Sequence, residues 1–178
     1  MVDVVNGFKG EYAYLSNFWE NPVEISIGSG KTMTFPTAEH AFQATKAKAM
    51  ISTSPADRLA YLLRVQKQPT PSKAKYEGRS VKIDVASWDK QKNMRMREVV
   101  FSKFHDTMLC SQLLSTGAYM LVEANDWGDK YWGRVDGKGL NVLGCILMEV
   151  RGYWWFGGAT ETLTYLPPEI QTNIMMGW

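Results

Sequence analysis

The chain has 178 residues, of which 45% are hydrophobic and 21% charged, with seven Trp among them. That is the size of one ordinary domain, able to bury about 70% of its chain surface without disulfides or a structural metal, and the composition excludes intrinsic disorder. Twenty Lys and Arg against eighteen Asp and Glu leave a net charge of +2, too even for a protein that grips nucleic acid mainly by neutralising phosphates, while a nucleotide pocket with a few local cations stays open.

No apolar run approaches the ~18 residues of a membrane span, and Met1-Val2-Asp3 opens no signal-peptide pattern. A cytoplasmic protein with no membrane contact is expected. Cys110 and Cys145 stand alone in apolar or helical contexts, which reads as reduced thiols. His40 and His105 are the only histidines, and no CxxC, HxxxH or HExxH spacing occurs. A metal site is therefore not expected, and Ser-His-Asp or Cys-His catalysis has little to work with.

In chain order, Pro22 to Ile27 alternates with Val23, Ile25 and Ile27 on one face, Gly28-Ser29-Gly30 supplies a turn, and Lys31 to Phe35 returns, which predicts a hairpin. The aromatic stretch Tyr12 to Trp19 has no period and reads as a packed loop. Thr37 can cap a helix in which Ala38, Phe42, Thr45 and Ala49 form the buried stripe. Pro55 to Val65 reads as a second helix. Gln68 to Lys75, with Pro69 and Pro71, reads as a loop. Trp88 to Phe104 is a longer helix with Met96, Val99, Val100 and Phe104 on one side. Leu109 to Ser115 is a short helix ended by Gly117, and Ala118 to Val122 a short strand ending at Glu123. Asn125 to Gly139 is a loop with four glycines and two tryptophans. Asn141 opens a helix in which Leu143, Ile146, Leu147 and Val150 recur and Gly152 stands as the stop; Tyr153 to Gly158 and the Pro167-Pro168 tail match no regular element. The expected class is α+β, a single domain with a small sheet near the N-terminus surrounded by several helices.

The helix after Thr37 carries the most chemistry. Glu39, Gln43 and Lys46 fall at i, i+4 and i+7 and project from one face beside the apolar stripe, where they can border a cleft. The plainer alternatives are that Glu39 complements the helix dipole and that Lys46 is a solvated surface lysine. His40 reads as a satisfied, partly buried histidine. Glu123, Asp129 and Asn141 sit at element boundaries, where sites are usually built; Asn141 can instead be an N-cap and Asp129 a turn residue. Trp127 and Trp132 can stack on a base or fill the core. Gly137-Lys138-Gly139 leads into a helix N-terminus and can approach a phosphate, but it is no P-loop.

Taken together these segments resemble the NADAR superfamily, the YbiA-like N-glycosidases. The resemblance is carried by Leu15-Ser16-Asn17-Phe18; by Phe35-Pro36-Thr37-Ala38-Glu39-His40-Ala41-Phe42-Gln43-Ala44-Thr45-Lys46; by Lys103-Phe104 and Leu113-Leu114; by Leu121-Val122-Glu123; and by Asp129-Lys130-Tyr131-Trp132-Gly133, Gly137 to Gly144 and Leu147 to Arg151. It spans roughly residues 6 to 152, which gives an N-glycosidase domain over 1–152 and a C-terminal extension over 153–178. The chain departs from the family pattern in two places: Trp132-Gly133 runs into Arg134-Val135-Asp136, where the pattern reads WGDG, and Gln68 to Ala86 and the last 26 residues read as additions to it.

The resemblance implies an enzyme that hydrolyses the bond between C1 of a ribose phosphate and an exocyclic amine. Its substrates would be ADP-ribosylated guanine or phosphorylated intermediates of riboflavin synthesis, with transient contact to modified DNA or RNA in the first case. Such a reaction needs a proton donor and a group that stabilises positive charge at C1, and implies no metal or redox cofactor. The implied catalytic residues are Glu39, Lys46 and Asp129, and the implied substrate-binding residues are Asn17, Phe18, Gln43, Glu123, Trp132, Gly133 and Asn141. A rival from another class is a non-catalytic module that binds ADP-ribose or a nucleotide; turnover against stoichiometric binding separates the two.

Overall fold

The computed structural model describes residues 3–52 and 54–157. They form an α+β structure of two compact units, one within residues 13–103 and the other from 3–12 together with 104–157. A 3-10 helix over Gly10–Leu15 carries the chain from one to the other, where the sequence predicted only a loop.

In the unit of residues 13–103, β1 being reserved for the opening strand Val4–Asn6, strands β2 (Glu20–Gly28) and β3 (Lys31–Thr37) make the predicted antiparallel hairpin. Val23 lies opposite Phe35 and Ile25 opposite Met33, so the alternating apolar positions share one face. The turn residues Ser29 and Gly30 both have positive φ, 53° and 71°, the pair of values a two-residue hairpin loop requires. The register slips between Glu20 and Val23, which accommodates Pro22, a residue that cannot donate to a ladder.

Helix α1 (Ala38–Thr45) starts where predicted, with the Thr37 hydroxyl accepting from the His40 N–H. It then tightens into a 3-10 turn, Lys46–Ala49, so the Ala49 end of the expected stripe lies beyond the α-helix. The hairpin, α2 (Pro55–Gln66), α3 (Pro71–Ser80) and α4 (Val85–Lys103) all pack against α1. As a result all eight of its residues are buried, Glu39 and Gln43 included, rather than a single stripe. Helix α3 corrects the loop expected over 68–75. Thr70 caps it by accepting from the Lys73 N–H, and Pro71 occupies the first turn, where its missing N–H costs nothing.

In the other unit β1 pairs in parallel with β4 (Met120–Val122). The small sheet expected near the N-terminus is therefore two separate two-stranded sheets, one of which recruits a strand from late in the chain. Helices α5 (Thr107–Ser115) and α6 (Val142–Trp155) pack together, and α6 lies against β4. Their core holds Leu109, Leu113, Leu121, Leu143, Ile146, Leu147 and Val150. Gly152 does not stop α6, which runs on through Tyr153, Trp154 and Trp155 to a positive-φ Gly157. An interior glycine costs a helix only ~1 kcal/mol relative to Ala, which aromatic packing offsets. The helix thus crosses residue 152, where the sequence reading ended the domain; most of the extension, 158–178, including Pro167 and Pro168, lies outside the described residues.

Candidate functional site

Helix α1 carries Glu39 and Gln43, and the 3-10 turn that continues it carries Lys46. Burial of Glu39 follows from its position under the Leu15–Phe18 segment: the Glu39 N–H donates to the Asn17 carbonyl at 2.9 Å. That segment is itself fixed by Lys103, which is almost fully buried and donates from Nζ to the Ser16 carbonyl at 2.7 Å. The Asn17 side chain donates to Met96 Sδ at 3.3 Å, while its Oδ1 is buried with no hydrogen-bond partner.

The Gln43 amide donates to Glu39 Oε1 at 2.7 Å, and the Tyr61 hydroxyl donates to the Gln43 carbonyl at 2.8 Å. Gln43 lies directly against Gly78 of α3, where a Cβ would stand 2.0 Å from Gln43 Oε1. Only glycine permits α1 and α3 to approach this closely. Lys46 reaches the same point of α3, its Nζ donating to the Gly78 carbonyl at 2.6 Å. The ammonium also stands 5.7 Å from the centroid of the Trp88 ring, which in turn packs against Phe42.

The electrostatics of the pair follow from this burial. Desolvation raises the Glu39 carboxyl above its ordinary value, outweighing the opposing pull of Lys75, the Gln43 bond, Lys46 and Arg79. Desolvation also lowers Lys46, to about 8, against the attraction of Glu39 and with the repulsion of Arg79 and Lys75. A buried acid and a buried amine are thus displaced toward neutrality from opposite sides, the condition for moving protons and forming bonds near pH 7. His40 has neither task. Its ring bridges Thr37 Oγ1 (2.8 Å) and the Gln68 carbonyl (3.0 Å), and burial lowers its pKa. The carbonyl can only accept, so the neutral ring donates from Nε2 and Nδ1 takes the Thr37 proton. This is the satisfied histidine expected.

Lys75 and Arg79 were missed in the sequence because the loop reading of 68–75 hid their i, i+4 spacing. Trp88, Tyr61 and Lys103 were read as helix or core positions, with no signal of their relation to α1. Phe18 is 41% exposed beside Asn17.

In the unit of residues 3–12 and 104–157, Asp129 and Asn141 have defined structural partners. Asp129 Oδ1 accepts from the backbone N–H groups of Tyr131 (3.0 Å) and Trp132 (2.9 Å), the turn-forming alternative to the catalytic role expected for it. Asn141 is nearly fully buried with left-handed φ of 57°. Its Oδ1 accepts from the Glu123 N–H at 2.9 Å and its Nδ2 donates to the Leu121 carbonyl at 2.8 Å. It occupies the N-cap position of α6 without capping it; both ends of the amide tie that helix to β4. Gly133 packs against the same strand end, since a Cβ there would meet the Glu123 carbonyl at 2.1 Å. The Glu123 carbonyl accepts from the Arg134 N–H at 2.9 Å. The Trp132 ring is half-buried, edge-on to Tyr131.

Among the described residues no group of three His, Cys, Asp or Glu side chains is placed to hold a metal ion, and no helix is long and apolar enough to cross a membrane.

Comparison with known proteins gives a consistent set of likenesses. A family model described as the NADAR domain matches residues 6–154, a span that includes the stretch 68–86 read above as an addition. N-glycosidase YbiA of Shigella boydii is 34% identical over 144 residues, covering 79% of this chain and 81% of that protein. N-glycosidase Npun_R5314 of Nostoc punctiforme is 34% identical over 143 residues, with coverages of 79% and 84%. The chloroplastic riboflavin biosynthesis protein PYRR of Zea mays is 30% identical over 154 residues, of which this chain spans only 23%. Among solved structures, the NMR structure of the Escherichia coli protein YbiA matches with a TM-score of 0.69 at 32% identity, covering 89% of both chains.

Proposed function

Because this chain belongs to the NADAR family, we propose that it is an N-glycosidase, cleaving the bond between C1 of a ribose phosphate and an exocyclic amine in a metal-independent reaction in the cytoplasm. Its substrate is ADP-ribosylated guanine or a phosphorylated intermediate of riboflavin synthesis. The observation that carries the reading is the buried Glu39 beside a Lys46 amine held down to about 8.

The chemistry assigns these two groups complementary tasks. Once the ribose ring opens, C1 is an iminium carbon bonded to the departing nitrogen. The neutral Lys46 amine adds to C1; as the C1–N bond to the heterocycle breaks, a proton passes through Glu39 from Lys46 to the leaving amine. A Lys46 imine to C1 results, and water adds to it, releasing the ribose phosphate as its aldehyde and restoring the amine. Gln43 holds the Glu39 carboxylate in place, and the unpartnered Asn17 Oδ1 is an acceptor that a ribose hydroxyl or the amine would satisfy. The binding roles that the resemblance gives Phe18, Glu123 and Trp132 belong to the same proposal, whereas Asp129, Gly133 and Asn141 act here as scaffold.

The test is product analysis by mass spectrometry after incubation with an oligonucleotide carrying ADP-ribosylated guanine and, separately, with phosphoribosylamino-pyrimidines, each beside a Glu39→Gln control. Release of the free base-bearing product, lost in the control, supports the reading and selects the substrate. Stoichiometric binding without release from folded protein overturns it in favour of a binding module. Borohydride added during turnover should leave a mass adduct on Lys46.

A further inference from the structure

We propose that Lys75 and Arg79, one turn apart on α3, grip the phosphate of the substrate, so that the protein selects phosphorylated ribose over the free sugar; the inference rests on the ribose-directed reading above. Residues 75, 78 and 79 lie on one face of α3 by the i, i+3, i+4 rule. The middle one, Gly78, is the point of contact with α1, touching Gln43 and accepting from Lys46. The two basic side chains therefore leave α3 immediately beside the Glu39–Lys46 pair.

Both act on Glu39 through space, but neither is tied to a partner group by a direct contact among the described residues. Neither Lys75 nor Arg79 makes an ion pair or a side-chain hydrogen bond among the described residues, whereas Arg64 nearby in the same bundle is bonded to Glu77 at 2.8 Å. With Lys46 they set three cations around one carboxylate, a local surplus of positive charge that repels the Lys46 proton. A phosphate completes this balance. The guanidinium fork can take two of its oxygens and the ammonium a third. A phosphate on a ribose whose C1 is presented to Lys46 lies one sugar ring away, which suits a contact from the neighbouring helix.

Calorimetric titration of the full chain with ribose 5-phosphate, ADP-ribose and ribose tests the assignment, using wild type, Lys75→Met, Arg79→Met and the conservative Arg79→Lys. Arg79 is exposed and Lys75 half-buried, so both positions tolerate substitution, and melting curves verify the fold. Wild type is expected to bind one or both phosphorylated probes far more tightly than ribose. Each Met variant should weaken that binding at least tenfold, and Arg79→Lys less. Tighter binding of ribose 5-phosphate identifies a terminal monoester as the natural group, and of ADP-ribose a pyrophosphate. Equal affinity for ribose and its phosphate, no binding of either phosphorylated probe, or Met variants that bind like wild type would overturn the proposal. Turnover judges the glycosidase reading separately: undiminished kcat/KM in both Met variants keeps the enzyme and removes the clamp, and phosphate binding without turnover does the reverse.

Discussion

Glu39 can be replaced in two ways that separate its chemistry from its place in the core. Both Glu39→Gln and Glu39→Ala remove the carboxylate, and both should lower turnover by roughly 10²–10⁴. Their stabilities should differ. Gln at position 39 still offers an oxygen to the Gln43 amide, whereas Ala leaves the Gln43 Nε2 buried without its partner, next to an Oε1 that already has none. The orphaned donor costs about 1–3 kcal/mol and the vacated methylene about 1 kcal/mol more. The gap between the variants should thus be about 3 kcal/mol, or roughly 6–12 °C in Tm for a chain of this length. Relative to wild type, Glu39→Gln should gain stability in a pH-dependent way. Burial raises the folded-state carboxyl above 4.5, so the wild-type fold loses stability as pH rises from there through the raised value, and Gln loses none. Differential scanning calorimetry from pH 4 to 8, with turnover measured on the same samples, checks all of this. A Gln variant as unstable as the Ala variant, or one that keeps the wild-type rate, would refute the placement of Glu39 as a buried catalytic carboxyl.

Four further outcomes are expected. If the neutral Lys46 amine is the nucleophile, kcat/KM should climb about tenfold per pH unit up to about 8 and level off above; Lys46→Arg, which stays charged throughout, should be inactive across the profile. Asn141→Ala should cost about 3–5 kcal/mol in urea unfolding, from the unpaired Glu123 N–H and Leu121 carbonyl plus a left-handed backbone without its Asn, while KM of the folded protein changes little. Asp129→Asn keeps the Oδ1 acceptor for Tyr131 and Trp132, so rate and melting temperature should stay close to wild type; a hundredfold loss in kcat would return Asp129 to the catalytic set. Gly78→Ala drives a methyl into Gln43 Oε1, and should both destabilise by about 1–3 kcal/mol and depress turnover by pulling Gln43 from Glu39.

The sequence was most legible where one local signal decided the outcome. The Thr37 cap, the alternation of Val23, Ile25, Met33 and Phe35, and the i, i+4, i+7 spacing of Glu39, Gln43 and Lys46 all express short-range geometry, and each is found in the fold. It was least legible where a residue type has two uses. Pro71 reads as a breaker and serves as a first-turn residue; Gly152 reads as a stop and sits inside α6. The parallel pairing of β1 with β4 joins segments more than a hundred residues apart, and three-residue strands carry no period to reveal it. Asp129 and Asn141 carry the chemistry of a site, but their hydrogen bonds go to the backbone of their own neighbourhood. Lys75 and Arg79, conversely, drew no reading in the sequence, and it is α3 that places them beside Gly78.

Helix α1 has no face turned to solvent, and this constrains how the protein can diversify. Each of its positions answers to packing as well as to chemistry, so substitutions there sacrifice the fold before they can explore new substrates. On the proposed site, variation that alters selectivity is expected instead at the outward positions of α3 and at exposed residues such as Phe18. A library randomised at those positions, with Ala38–Thr45 held fixed, should yield folded clones with altered preference, while the converse library should yield mostly insoluble chains.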